Sequence, residues 1–151
     1  GIQAPRYWEL GENETSFRYN NYLSRFHWRH LDLMDVLSAW QGRSRASLSE
    51  MATLLGFPGK LGFGGDQVWD TWLKGDIGAI RDYCETDVLN TYLIWLRFQF
   101  MRGQLDETGL AEEIARVQRF LEASAASHWQ AFSAAWTARS TEAASAAKSA
   151  S

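Results

Sequence analysis

Apolar residues recur at helical spacing through most of the chain beyond residue 30. Leu31, Met34 and Leu37 predict a short helix over 31–40, entered from an extended Trp28–His30. Ser47 followed by Glu50 forms a capping-box pattern, and Leu48, Met51, Ala52, Leu54 and Leu55 supply the apolar face of a second helix that Gly56 stops. Residues 57–65 carry four glycines and predict an irregular loop. Asp66 is then expected to cap a helix whose apolar face is Val68, Trp69, Trp72 and Leu73, ended by Gly75. Asp76 is expected to cap a long helix reaching about Arg102. Its stripe of Ile77, Ile80, Cys84, Val88, Tyr92, Leu93, Trp95, Leu96 and Phe100 widens toward the C-terminal half, which predicts deep burial there.

Two zones lack this pattern. Residues 1–30 are aromatic and polar without helical period, and Asn13, Asn20 and Asn21 suggest turns around short pieces. At the other end, Leu110, Ile114, Val117 and Leu121 predict an amphipathic helix over about 109–123. Ala and Ser then make up 19 of the 29 residues from 123 to 151. Trp129, Phe132 and Trp136 are placed to anchor a helical continuation, and the sequence predicts fraying or disorder after Arg139.

Composition narrows the function classes. At 151 residues the chain suits one domain, or one domain plus a tail. With 46% hydrophobic residues and eight Trp it is too apolar to be disordered. A net charge of −3 excludes binding of polyanions through bulk charge, so any nucleic-acid contact must use a local patch. One cysteine excludes an internal disulfide framework and fits a reducing, cytoplasmic setting. No run approaches the ~18 apolar residues of a membrane span, so no membrane partner is expected. The chain opens on Gly1 rather than Met, with no signal-peptide pattern, and reads as a piece of a longer protein.

The sharpest chemical signal is Tyr83-Cys84-Glu85-Thr86-Asp87. On a helix Tyr83 and Asp87 lie about 40° apart around the axis and share a face. The carboxylate is a hard ligand suited to Mg²⁺ or Mn²⁺, and the phenol can direct a metal-bound water. Alone, this pair is a weak motif and more often marks a solvated or hydrogen-bonded helix surface. Asp82 and Glu85 read as a solvated face, Cys84 as a small buried thiol, and Asp32 and Asp35 as an acidic first turn favoured by the helix dipole. His27 and His30 lack further zinc-type ligands nearby and read as ordinary packing. Lys60 in the glycine loop is a candidate contact to a nucleic-acid backbone, though the loop matches no Walker pattern. The Trp and Phe residues read as core or interface, with base stacking open to one or two of them.

The runs HLDLMDVLS, LSEMATLLGFPGKLGFGGDQVWDTW and GDIGAIRDYCETDVLNTYLIWLRFQFMRGQL resemble the C-terminal half of the predicted 3′–5′ exonucleases related to the proofreading domain of family-B DNA polymerases. These belong to the DnaQ-like superfamily, with an RNase H-like fold and four acidic metal ligands plus a tyrosine. The resemblance covers residues 1–105. It implies that Tyr83 and Asp87 are the third exonuclease motif, Asp87 binding a catalytic metal and Tyr83 orienting the attacking water. The first motif, Asp-x-Glu, and the second, with its Phe-Asp pair, are absent from this sequence. Two-metal hydrolysis places its ions ~3.5–4 Å apart, and one aspartate cannot organise that pair. The expectation is therefore a fragment of a metal-dependent 3′–5′ exonuclease, inactive alone, whose partners are single-stranded or 3′-end nucleic acid, DNA foremost, and the missing N-terminal part of its own domain.

Two other readings compete. LSEMATLLGFPG followed by QVWDTWLKGD has the flavour of a helix-turn-helix DNA-binding module, but a break from Gly56 to Gly65 is long against that motif's 3–4-residue turn. A non-enzymatic helical interaction protein would account for the apolar load of Trp69, Trp72, Trp95 and Phe100. The expected fold is mainly helical: the helical layer of an α/β RNase H-like domain lacking most of its sheet. Its expected parts are 1–105 of the nuclease domain, a helical extension over 106–138, and an Ala/Ser-rich tail over 139–151.

Overall fold

The computed structural model describes residues 31–149, and the chain parts into two compact units, Gly1–Arg45 and Ala46–Ser151. In the first unit, helix α1 spans Leu33–Leu37. Asp32 caps it, its carboxylate accepting the Asp35 N–H at 3.1 Å. The helix expected over 31–40 is thus cut to five residues. Trp40 N–H reaches back to Asp35 O at 2.7 Å and Ala39 N–H to Val36 O, which closes the last turn as a Schellman motif. That closure puts Ala39 and Trp40 at positive φ, and regular helix cannot continue through it. A 3₁₀ turn follows at Gly42–Ser44, and Arg45 pairs with the buried Asp35 at 2.7 Å.

The second unit is built on one long helix. Helices α2 (Leu48–Leu54), α3 (Val68–Leu73), α5 (Glu107–Ala123) and α6 (Ser127–Ser149) each pack on α4 (Ile77–Met101). No strand occurs among the described residues, so the mainly helical expectation holds. Residues 106–138 are packed within this unit rather than set apart from it. No helix among the described residues is long and apolar enough to cross a membrane.

Local chemistry sets the boundaries. The Ser47 hydroxyl accepts the Glu50 N–H while the Glu50 carboxylate accepts the Ser47 N–H, the reciprocal capping box. Asp76 accepts the Ala79 N–H at 3.0 Å and starts α4. Asp106 accepts the Gly109 N–H at 2.7 Å and starts α5. Gly56 at φ +83° ends α2 and turns the chain so that Phe57 enters the core.

The reading of Asp66 as the cap of α3 does not hold. Asp66 lies within a 3₁₀ turn, Gly65–Gln67, and its carboxylate faces Lys60 at 3.7 Å; Gln67 stands at the cap position without a side-chain bond there. The face of α3 is also not core. Trp69 is 65% exposed, and it stacks on Trp72 with ring centroids 5.1 Å apart. A six-residue helix offers one narrow stripe to α4, and these rings lie off it.

The core matches the predicted burial of the C-terminal half of α4. Leu93, Ile94, Leu96 and Phe98 are buried there, together with Ala52, Phe57, Leu110, Val117, Leu121, Phe132 and Trp136. Val88, by contrast, is 69% exposed, and Ile77 and Phe100 also face outward, because the apolar stripe is wider than the surface the neighbouring helices cover. Phe57 meets Trp136 edge to face at 5.6 Å, and Phe132 meets Trp136 at 6.3 Å, so α6 is anchored by the aromatics that the sequence singled out. The tail expected to fray after Arg139 is helical through Ser149. Ser140, Thr141, Glu142, Ala144 and Ser145 are exposed, so the high helix propensity of alanine carries this segment rather than burial.

One polar pair in the core holds the glycine loop. Asn90, 1% exposed, accepts the Gly59 N–H at 3.2 Å and donates to Gly59 O at 3.0 Å. Gly59 sits at φ +68°, and a Cβ there would stand 3.0 Å from Ser49 O, Ser49 Oγ and Thr53 Oγ1. Replacing Asn90 with Ala orphans a buried N–H and a buried C=O, each costing about 1–3 kcal/mol. Chemical denaturation of Asn90→Ala is expected to show a loss of roughly 2–4 kcal/mol. Phe132→Ala, at a site of 0% exposure, is expected to cost about 3–5 kcal/mol by the same measurement.

Candidate active site

The Asp76 cap fixes the start of α4, and Tyr83 and Asp87 follow on its second and third turns. The Asp87 carboxylate lies on the Tyr83 side of α4, as the four-residue spacing requires, near enough to act on the phenol. The accepting Asp87 carboxylate beside the hydroxyl, then partial burial and the carboxylate charge, raise the Tyr83 pKa above the ordinary tyrosine value of 10.0. Tyr83 is therefore a neutral phenol at pH 7, able to donate and to accept. Both residues are half-buried, with neither sealed in the core.

The glycine loop forms one wall. Phe63 lies against the Tyr83 ring, centroids 5.1 Å apart, and the hydroxyl faces Gly65, where an added Cβ would stand 3.8 Å away. The loop's position comes from Asn90, one turn beyond Asp87 and turned into the core. Lys60 folds over Gly64, whose own Cβ would collide with the lysine side chain. The Lys60 N–H is held by Ser49 Oγ at 3.0 Å, which leaves its ammonium, with Asp66, at the loop surface. An exposed pair of that kind contributes about 0–1 kcal/mol, so the lysine is readily redirected to another anion.

A recess of about 250 Å³ opens beside Tyr83, lined by Leu61, Phe63, Asp82, Tyr83, Thr86 and His128. Here the structure corrects the reading of Asp82 and Glu85 as a solvated face. Both are half-buried, and His128 from the first turn of α6 comes down on them. Its Nε2 lies 2.7 Å from Glu85 Oε2 and its Nδ1 3.5 Å from Asp82 Oδ2. The expected buried thiol is also corrected: Cys84 is exposed, because it points away from the helices that cover Asn90 and Leu93. Asp32 and Asp35 serve the cap and the Arg45 pair, and His27 and His30 lie outside the described residues.

Sequence reasoning missed Asn90 and His128. Asn90 is a polar residue set among the buried Leu93 and Ile94, and it carries no local signal of its 31-residue reach to the loop. His128 sits 43 residues from Glu85 in a segment of Ala and Ser.

The oxygen donor of Asp87 fits Mg²⁺ or Mn²⁺ in kind, and among the described residues it offers such an ion one carboxylate beside the Tyr83 hydroxyl. The helix-turn-helix alternative loses its geometry, since α2 and α3 are separated by residues 55–67 rather than by a tight turn. The sequence profile of a family described as a predicted 3′–5′ exonuclease related to the exonuclease domain of PolB matches residues 1–136. The match runs past residue 105, where the sequence resemblance stopped, and ends at Trp136, a residue of the buried core. None of the curated proteins and none of the solved structures compared with this chain matches it. Exonucleases of this kind act on nucleic acid and generally use divalent metal ions. With nine-tenths of its length matched and the Tyr83–Asp87 pair inside the matched segment, this chain belongs to the family of predicted 3′–5′ exonucleases related to the exonuclease domain of PolB.

Proposed function

We propose that this chain is the helical part of an RNase H-like 3′–5′ exonuclease domain that hydrolyses phosphodiester bonds at 3′ ends of single-stranded nucleic acid, DNA foremost. One observation carries the reading: within the matched segment, the phenol of Tyr83 and the carboxylate of Asp87 share one face of α4, beside a glycine loop bearing a lysine. In this reading Asp87 is one ligand of a Mg²⁺ or Mn²⁺ pair. When bound, such ions activate water and stabilise the leaving 3′-oxygen.

The remaining roles belong to the chain's own side chains. Tyr83 keeps its proton at neutral pH and sets the direction of a water through its hydroxyl. Phe63 lies tilted against the phenol ring at 5.1 Å and limits its rotation. Asn90 fixes the loop that carries Phe63 and Lys60, and Lys60 leaves Asp66 for a backbone phosphate. The sequence holds neither Asp-x-Glu nor Phe-Asp, so a longer protein would have to provide the other carboxylates. The 151-residue chain is then inactive alone.

Two experiments test this. A 3′-labelled single-stranded DNA incubated with the isolated chain and Mg²⁺ or Mn²⁺ is expected to stay intact. The same segment within a protein that includes the upstream carboxylates should shorten it. There Asp87→Asn should cost about 10²–10³-fold in rate, and Tyr83→Phe about 10²-fold; wild-type rates in both variants would remove the assignment. Lys60→Ala should lower the slope of log K against log salt for DNA binding by about 1. An unchanged slope would leave Lys60 as a loop residue paired with Asp66.

A further inference from the structure

Asp82 and Glu85 lie three apart on α4, and His128 comes from the first turn of α6. One ligand atom from each falls within 4.8 Å of the other two. Asp82 and Glu85 project from one helix face by their spacing alone. The third ligand arrives because α6 docks on the core, with Trp129 against Phe120, Trp136 against Phe57 and Phe132 buried. The His128 side chain is 13% exposed, while the two carboxylates keep contact with solvent at 31% and 39%. The group is thus sheltered on its protein side and open on the other, beside the recess that also borders Tyr83.

We infer that these three side chains form a transition-metal site of the zinc class, separate from the nuclease centre. The donor set decides the ion. Imidazole nitrogen suits Zn²⁺ and its neighbours, whereas Mg²⁺ and Ca²⁺ take oxygen alone. Zn–N and Zn–O bonds of ~2.0–2.2 Å at tetrahedral angles set ligand atoms about 3.4 Å apart. Atoms already within 4.8 Å reach that spacing by side-chain rotation, with the 2.7 Å His128–Glu85 contact opening and the longest separation closing. Three protein ligands leave a fourth position for water or an incoming group. The inference does not rest on the nuclease reading, because Asp87 is not one of the three ligands.

Arg81 is the competitor. Its guanidinium lies 2.8 Å from Asp82 and 3.6 Å from Glu85, and its side chain is 67% exposed. An ion entering the site displaces that charge, and an exposed side chain moves aside at little cost. Removing Arg81 should therefore tighten metal binding. A site that exists only as a hydrogen-bonded helix contact would show no such gain.

The test is a Zn²⁺ titration of the metal-free 151-residue chain by calorimetry, with Co²⁺ as a spectroscopic substitute and circular dichroism to follow helix content. One equivalent of Zn²⁺ is expected, with a Co²⁺ absorption band of four- or five-coordinate intensity and a raised thermal midpoint. His128→Gln and Glu85→Gln should each weaken Zn²⁺ by about tenfold or more, a loss that even outer-shell changes produce at metal sites. Arg81→Gln should strengthen it several-fold, and Asp87→Asn should leave it unchanged. Absence of stoichiometric Zn²⁺ uptake by the helical wild-type chain overturns the site. So does full affinity in both His128→Gln and Glu85→Gln, or loss of uptake in Asp87→Asn alone. Should His128→Gln lose helix content, Glu85→Gln and Arg81→Gln decide between these outcomes, since Arg81 is exposed and Glu85 only half-buried.

Discussion

The amide of Asn90 is the interaction on which the rest of this unit depends. It satisfies both backbone groups of Gly59 from inside the core, where an unpaired polar group is costly and a paired one fixes a single arrangement. Through it, a loop too rich in glycine to hold a shape of its own is tied to the middle of the longest helix. Phe63, Lys60 and Gly65 follow from that tie, and with them the wall that faces the Tyr83 phenol. The same helix turn therefore serves two purposes: Asp87 outward beside the phenol, Asn90 inward beneath the loop.

The second constraint is the aromatic seam between α6 and Phe57, just past the end of α2. Phe57, Phe132 and Trp136 interlock at edge-to-face angles and bury the start of a helix that is otherwise Ala, Ser and Thr. An Ala-rich helix has favourable propensity but almost no surface with which to choose a position. Three rings supply that choice. Their placement sets His128 on Asp82 and Glu85, so a contact that looks electrostatic is at root a consequence of apolar docking. The family match ends where this seam ends, at residue 136.

The outward surface is as informative as the core. Trp69 and Trp72 stack on each other in the open rather than filling the interior, and Val88 and Phe100 stand exposed along α4. Such apolar surface suits a helical layer that meets further structure, which is how an RNase H-like domain would use it.

The helices were legible because their determinants are local. Ser47 with Glu50, Asp76, Gly56 and Gly75 mark starts and stops by hydrogen bonds spanning a few residues, and the apolar period of α4 marks its buried half. That Tyr83 and Asp87 share a helix face was legible for the same reason, since a four-residue spacing on a helix is a statement about geometry. Where local chemistry had rivals, reading along the chain failed. Asp66 turned to Lys60 instead of capping α3, and α1 closed early through positive-φ residues that carry no glycine. What tertiary structure alone decided are the contacts between segments far apart in the chain: Asn90 with Gly59, and His128 with Asp82 and Glu85. Their energies depend on burial and on distances that exist only after the helices have packed, and a linear pattern of residues contains neither.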